Sequence, residues 1–131
     1  MVKKVIALSL CLLLLCGVYM TASAKTAQVT DNGKTYHLSY SITLNGSTST
    51  GSVSAITESD SNARLGARAV IWFSGEAGTG TDSAEQIKNN TTKVQANISV
   101  PGGNYAYKGT SGHTFTKSDG SVWSDGLSKS F

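Results

Sequence analysis

The stretch Tyr36-His-Leu-Ser-Tyr-Ser-Ile-Thr-Leu44 decides the fold class of this chain. Every second residue is apolar or aromatic (Tyr36, Leu38, Tyr40, Ile42, Leu44), and the residues between are polar (His37, Ser39, Ser41, Thr43). Period two belongs to a pleated strand, so one face of this segment meets a core and the other meets water. Val94, Ala96, Ile98 and Val100 repeat the pattern against Gln95, Asn97 and Ser99. Turn-forming residues follow each strand, Asn45-Gly46 in one case and Pro101-Gly102-Gly103-Asn104 in the other.

Weaker strand signals lie around these two. Gly51 to Thr57 places Val53 and Ala55 on one face, with little apolar bulk, and Tyr105 and Tyr107 flank Ala106. His113–Lys117 and Ser121–Ser124 read as a hairpin across Ser118-Asp119-Gly120, and Asp31-Asn32-Gly33 joins a short strand at Ala27–Thr30 to the long one after it. Residues 63–73 carry two signals. Ser59, Asp60 or Asn62 could cap a helix there, whereas Gly66 and the run Ala69-Val-Ile-Trp-Phe73 suit a buried strand and favour it. Asp82-Ser-Ala-Glu85 has the form of a capping box and predicts a short helix near 83–89. The expectation is an all-β, single-domain protein: an antiparallel sandwich or barrel of about six to eight short strands, with at most that one helix.

The first 24 residues read as a cleaved export signal. Lys3 and Lys4 precede an apolar run from Val5 to Val18, and Ala22-Ser-Ala24 supplies the small-x-small cleavage pattern. The run is shorter than the roughly 20 apolar residues that cross a bilayer. Cys11 and Cys16 each follow a leucine, which argues against lipoprotein processing. Cleavage leaves a single β domain, Lys25–Phe131, secreted to the exterior or to a periplasm where an outer membrane exists. Both cysteines depart with the leader, so the mature chain has no disulfide, no thiolate chemistry and no cysteine-based zinc site. Its net charge falls from +3 to about +1 with the loss of Lys3 and Lys4. With no basic run or recognition module, nucleic acid is not an expected partner.

No motif names a reaction. Gly46-Ser-Thr-Ser-Thr-Gly51-Ser52 has the glycine spacing of a phosphate loop but lacks its lysine and its following helix. Glu58, Asp60 and Asn62 alternate as calcium ligands do, yet alanines stand at positions 63 and 69, where an EF-hand needs Gly and Glu. His37 lies on the polar face of its strand, and Ser111-Gly112-His113 is a contiguous polar triplet, with no Gly-x-Ser-x-Gly elbow anywhere. No enzyme activity, cofactor or metal is expected.

The surface feature that stands out is Arg64, Arg68 and Trp72. On a strand, spacing of four puts all three on one face, as a guanidinium–indole row able to stack on sugars or hold anionic groups. The alternative puts Trp72 in the core with the arginines reaching past it. Tyr105, Tyr107 and Trp123 are aromatic residues near expected loop ends. The function these features suit is non-enzymatic binding outside the cell or at its surface, to a protein or polysaccharide ligand. The alternative is a secreted antibacterial or membrane-active toxin, since Ser47–Glu58, with Val53, Ala55 and Thr57 alternating, resembles a barrel-forming hairpin. Only that alternative involves membrane contact.

Overall fold

Residues 19–76 and 78–131 are described by a computed structural model, and they form six strands joined by antiparallel ladders, with no helix among them. The strands are β1 (Tyr19–Asp31), β2 (Lys34–Gly46), β3 (Gly51–Gly75), β4 (Gly80–Ser99), β5 (Asn104–Thr116) and β6 (Val122–Ser130). The expected leader lies outside the described residues except for Tyr19–Ala24, which form the first half of β1.

Local chemistry sets the hairpins. Asn32 and Gly33 have φ of 49° and 75°, the positive values a tight two-residue hairpin turn requires, and Asp31 pairs with Lys34 across them. The Ser118-Asp119-Gly120 turn joins β5 to β6, with the Lys117 N–H donating to the Ser121 carbonyl at 2.8 Å.

The sheet runs in the order β1-β2-β3-β5-β6, with β4 also paired to β3. β3 is 25 residues long and makes this possible. Its first part pairs with β2 (Gly51↔Gly46 to Ser59↔Leu38), and its second pairs with β5 (Arg64↔Thr116 to Gly75↔Asn104). β4 accompanies both parts, with register shifts between Glu58 and Leu65. Bulges of this kind bend a strand and raise its twist, so one long hairpin turns the corner and the sheet curls into a nearly closed barrel. The ends of the path close through polar contacts: Ser118, in the turn before β6, donates from both N–H and hydroxyl to Asp31 of β1 (3.0 and 2.9 Å), and Lys25 of β1 and Tyr40 of β2 both reach Asp125 of β6.

The period-two residues fill the interior. Leu38, Tyr40, Ile42 and Leu44 of β2 meet Val53 and Ala55, then Leu65, Ala67, Ala69 and Ile71 of β3, with Val94, Ala96, Phe115 and Leu127 completing the core. Each large side chain so buried contributes about 2 kcal/mol relative to exposure.

The expected strands at 36–44 and 94–100 are present, the second ending at Ser99, and residues 63–73 are strand. Two expectations need correction. The segments at 51–57 and 63–73 are one bent strand, so the elements are longer than expected. The helix near 83–89 is absent: those residues lie in β4, paired with β3 from Leu65↔Lys88 to Phe73↔Gly80. This half of β4 is an edge, exposed on both faces, with Asp82, Gln86 and Lys88 beside the apolar side of β3. Charged residues at such positions discourage edge-to-edge pairing. They also erase the alternation that would mark a strand, leaving a capping-box pattern without a helix.

Candidate functional site

Even-numbered residues of β3 beyond the bend point outward, because the odd-numbered ones fill the core. Arg64, Arg68 and Trp72 therefore share the exterior of the sheet, Arg64 and Arg68 exposed and Trp72 half-buried. The alternative that placed Trp72 in the core does not hold.

The ladders supply the neighbours of this row. Trp72 lies between Lys108 of β5 and Thr81 of β4, and the Lys108 ammonium stands 4.9 Å from the centre of the indole. Such cation–π contacts are worth about 0.5–1 kcal/mol at exposed positions. Arg68 lies between Gly112 and Glu85, and Arg64 donates from Nη1 to the Asn89 side chain at 2.7 Å. Gly66 and Gly112 carry no side chains, so a depression of about 280 Å³ opens between Arg68, Glu85, Ile87 and Thr114. Three cations with one carboxylate, Glu85, and one indole make this face suited to flat or anionic ligands. Lys108 was not singled out in the sequence. Only the β3–β5 register, 36 residues across, brings it to Trp72.

Tyr105 and Tyr107 are exposed and line an apolar cleft of about 400 Å³ with Tyr19, Ser47, Thr48, Ala106 and Phe131. Trp123 does not join them. It pairs with Phe115 near the opposite end of β5 and packs edge-on against Tyr40, ring centres 5.4 Å apart.

The remaining groups with chemical potential are engaged inside or across the barrel. His113 is fully buried, its Nδ1 2.8 Å from Thr57 Oγ1 and its Nε2 2.6 Å from Ser111 Oγ. Thr57 spends its only proton on the Gly66 carbonyl at 2.8 Å, so it accepts from Nδ1–H, and Ser111 donates to Nε2. Desolvation lowers the His113 pKa to about 4, against an opposing pull from Asp125. The Ser111–His113 contact has the spacing of a nucleophile and its base. However, Ser111 is only 5 % exposed, and a threonine occupies the place of an orienting carboxylate. Nearby, Tyr40 donates to Asp125 at 2.5 Å; burial first, then this bond, raises the phenol to about 12, while the bond holds the Asp125 carboxyl below its usual range.

On the surface, His37 bonds Asp60 through its backbone N–H (3.0 Å) and Nδ1 (2.8 Å), which lowers the Asp60 pKa. Glu58 faces Lys93 at 3.6 Å. The two carboxylates of the calcium-like stretch are thus each turned to a basic partner.

No protein-family model matches the chain, and no curated protein matches it. Among solved structures, it is similar to Northeast Structural Genomics Consortium target SoR45 at 11% identity, over 88% of each chain, with a TM-score of 0.26.

Proposed function

We propose that this protein is a secreted, non-enzymatic binding protein that engages an anionic polysaccharide or acidic protein surface outside the cell. The observation that carries the reading is the outward row of Arg64, Arg68 and Trp72, with Lys108 added across the ladder to cover the indole. Laddered strands hold the backbone beneath these side chains, so no loop has to be ordered when a ligand settles on them. The export signal read from residues 1–24 supplies the location.

The membrane-active alternative leaned on Ser47–Glu58 as an apolar-faced hairpin. Val53, Ala55 and Thr57 are instead fully buried in the core, and the outer face beside them carries Ser52, Ser54 and Glu58 with the single apolar residue Ile56. Nothing else favours a toxin, and dye release from liposomes at low protein concentration would reverse that judgement.

The test is co-sedimentation of the exported protein with an insoluble anionic polysaccharide. Arg68→Ala/Trp72→Ala should fold normally, since both side chains are outside the core, and weaken binding about tenfold or more. Binding should also weaken with salt as the Debye length shrinks below about 8 Å. Undiminished binding by the folded double variant removes this face from the function.

A further inference from the structure

β1 crosses the expected cleavage point. Tyr19–Ala24 belong to the leader as read from the sequence, yet they form six residues of ladder with β2, from Tyr19↔Gly46 to Ala24↔Ser41. Cleavage after Ala24 shortens β1 to Lys25–Asp31 and leaves the outer edge of Ser41–Gly46 unpaired. Along an antiparallel strand, alternate residues direct N–H and C=O to each edge, so this stretch becomes a short template of unsatisfied backbone groups. The opposite edge of the same residues stays paired with β3, from Ser41↔Ile56 to Gly46↔Gly51.

The gap has a defined shape. Thr21 and Ser23 stand opposite Leu44 and Ile42, which are fully buried while the segment is in place. Directly opposed residues share a face, so an occupant contributes small side chains over the barrel interior. At the end of the gap, the Phe131 ring lies over Gly46, where even a methyl group would fall 2.7 Å from it. Tyr19, opposite Gly46, packs on that ring with centres 5.7 Å apart and helps to enclose the apolar cleft with Tyr105 and Tyr107. The buried apolar core residues run from Val29 to Leu127, so cleavage removes none of them.

We infer that the mature protein takes an extended segment of a partner polypeptide as an added strand on Ser41–Gly46, with an aromatic side chain seated beside Phe131. Main-chain hydrogen bonds supply the affinity, and the aromatic cleft with the small inward positions supplies the selectivity. The pattern of the occupant is that of Tyr19-Met-Thr-Ala-Ser-Ala24: aromatic first, then small residues at the inward positions. This inference rests on the export reading and names a partner site separate from the Arg68–Trp72 face.

The experiment uses the protein purified after export, its N-terminus read by mass spectrometry, with the capped peptide Tyr-Met-Thr-Ala-Ser-Ala as probe. Amide exchange is followed by NMR. Without peptide, edge-facing amides within 41–46 should exchange freely; millimolar peptide should slow them about tenfold or more. A peptide with alanine for the tyrosine, or the Phe131→Ala protein, should lose that protection. Phe131 is exposed at the chain end, so its removal spares the fold. Arg68→Ala/Trp72→Ala should leave peptide protection unchanged, which separates this site from the face proposed above. An N-terminus at or before Tyr19 means the strand stays in cis and overturns the inference. So do edge amides already protected in the free monomer, a dimer that pairs this edge with itself, or no response to the peptide.

Discussion

His113 carries the most information of any single residue. Its tautomer follows from one proton count, because Thr57 gives its hydrogen to the Gly66 carbonyl and leaves only a lone pair for Nδ1. The ring is therefore neutral with hydrogen on Nδ1, and ¹⁵N NMR should find Nε2 unprotonated from neutral pH down toward 4. The energetic consequence has a definite sign. The unfolded chain binds this proton near pH 6.5, whereas the folded one binds it only near 4, since burial penalises the cation. Between those values protonation favours unfolding, so this contribution is complete above pH 6.5 and is lost progressively as pH falls toward 4. The loss amounts to at most about 3 kcal/mol. Denaturant midpoints measured across this window check it. His113→Phe should flatten the slope to what Asp60, Asp119 and Asp125, held below their usual range, add toward pH 4, although it strands the Ser111 hydroxyl and costs about 1–3 kcal/mol in itself.

Among the elements, β3 and β5 meet unusually closely inside the barrel. Gly109 of β5 faces Val53 of β3, and a methyl group added at Gly109 would lie 2.6 Å from Val53 Cγ2. Neither neighbour is free to move, because both belong to laddered strands. Gly109→Ala should therefore destabilise by about 1–3 kcal/mol through overpacking. Trimming the opposing side chain should relieve the clash, so Gly109→Ala/Val53→Ala should lose clearly less than the sum of its single variants in a double-mutant cycle. Additive losses would place the strain elsewhere. This contact also marks where sequence reading stops. β2 was legible because one of its faces is wholly buried and the other wet, which is what alternation records. The first half of β4 was not, because an edge strand exposed on both sides has no alternation to show. The bend that makes β3 one element was also hidden, since Ser59–Asn62 has loop composition and Asp60–Asn62 drop out of the ladders at the register shift, while the chain stays extended through them. For the candidate face, the spacing of Arg64, Arg68 and Trp72 was readable from period two alone. Lys108, the Ser111–His113–Thr57 network and the separation of Trp123 from the two tyrosines depend on registers between distant strands, which no local pattern encodes.

For the molecule as a whole, the way the sheet closes predicts how it opens. β3 is held along both edges, by β4 on one side and by β2 or β5 on the other, whereas β1 and β6 each have a single ladder partner. What joins β1 to β6 and to the turn before it is a set of polar contacts, Ser118 of the turn to Asp31 and Lys25 to Asp125. Tyr40 ties β2 to the same Asp125. Surface contacts to a carboxylate contribute little individually, since water and salt screen them, so this seam should part long before the β3 ladders do. Native-state hydrogen exchange should accordingly show amides around Ala69–Ile71 and Gly109–His113 exchanging only through global unfolding, with those of β1 and β6 opening at lower free energy. Asp31→Ala removes both Ser118 bonds without touching the core. It should speed exchange in β1 and β6 severalfold, about what 1 kcal/mol implies, and leave Ala69–Ile71 nearly unchanged. If Asp31→Ala accelerates every amide equally, the seam is part of one cooperative unit, and the barrel opens as a whole instead of along its side-chain closure.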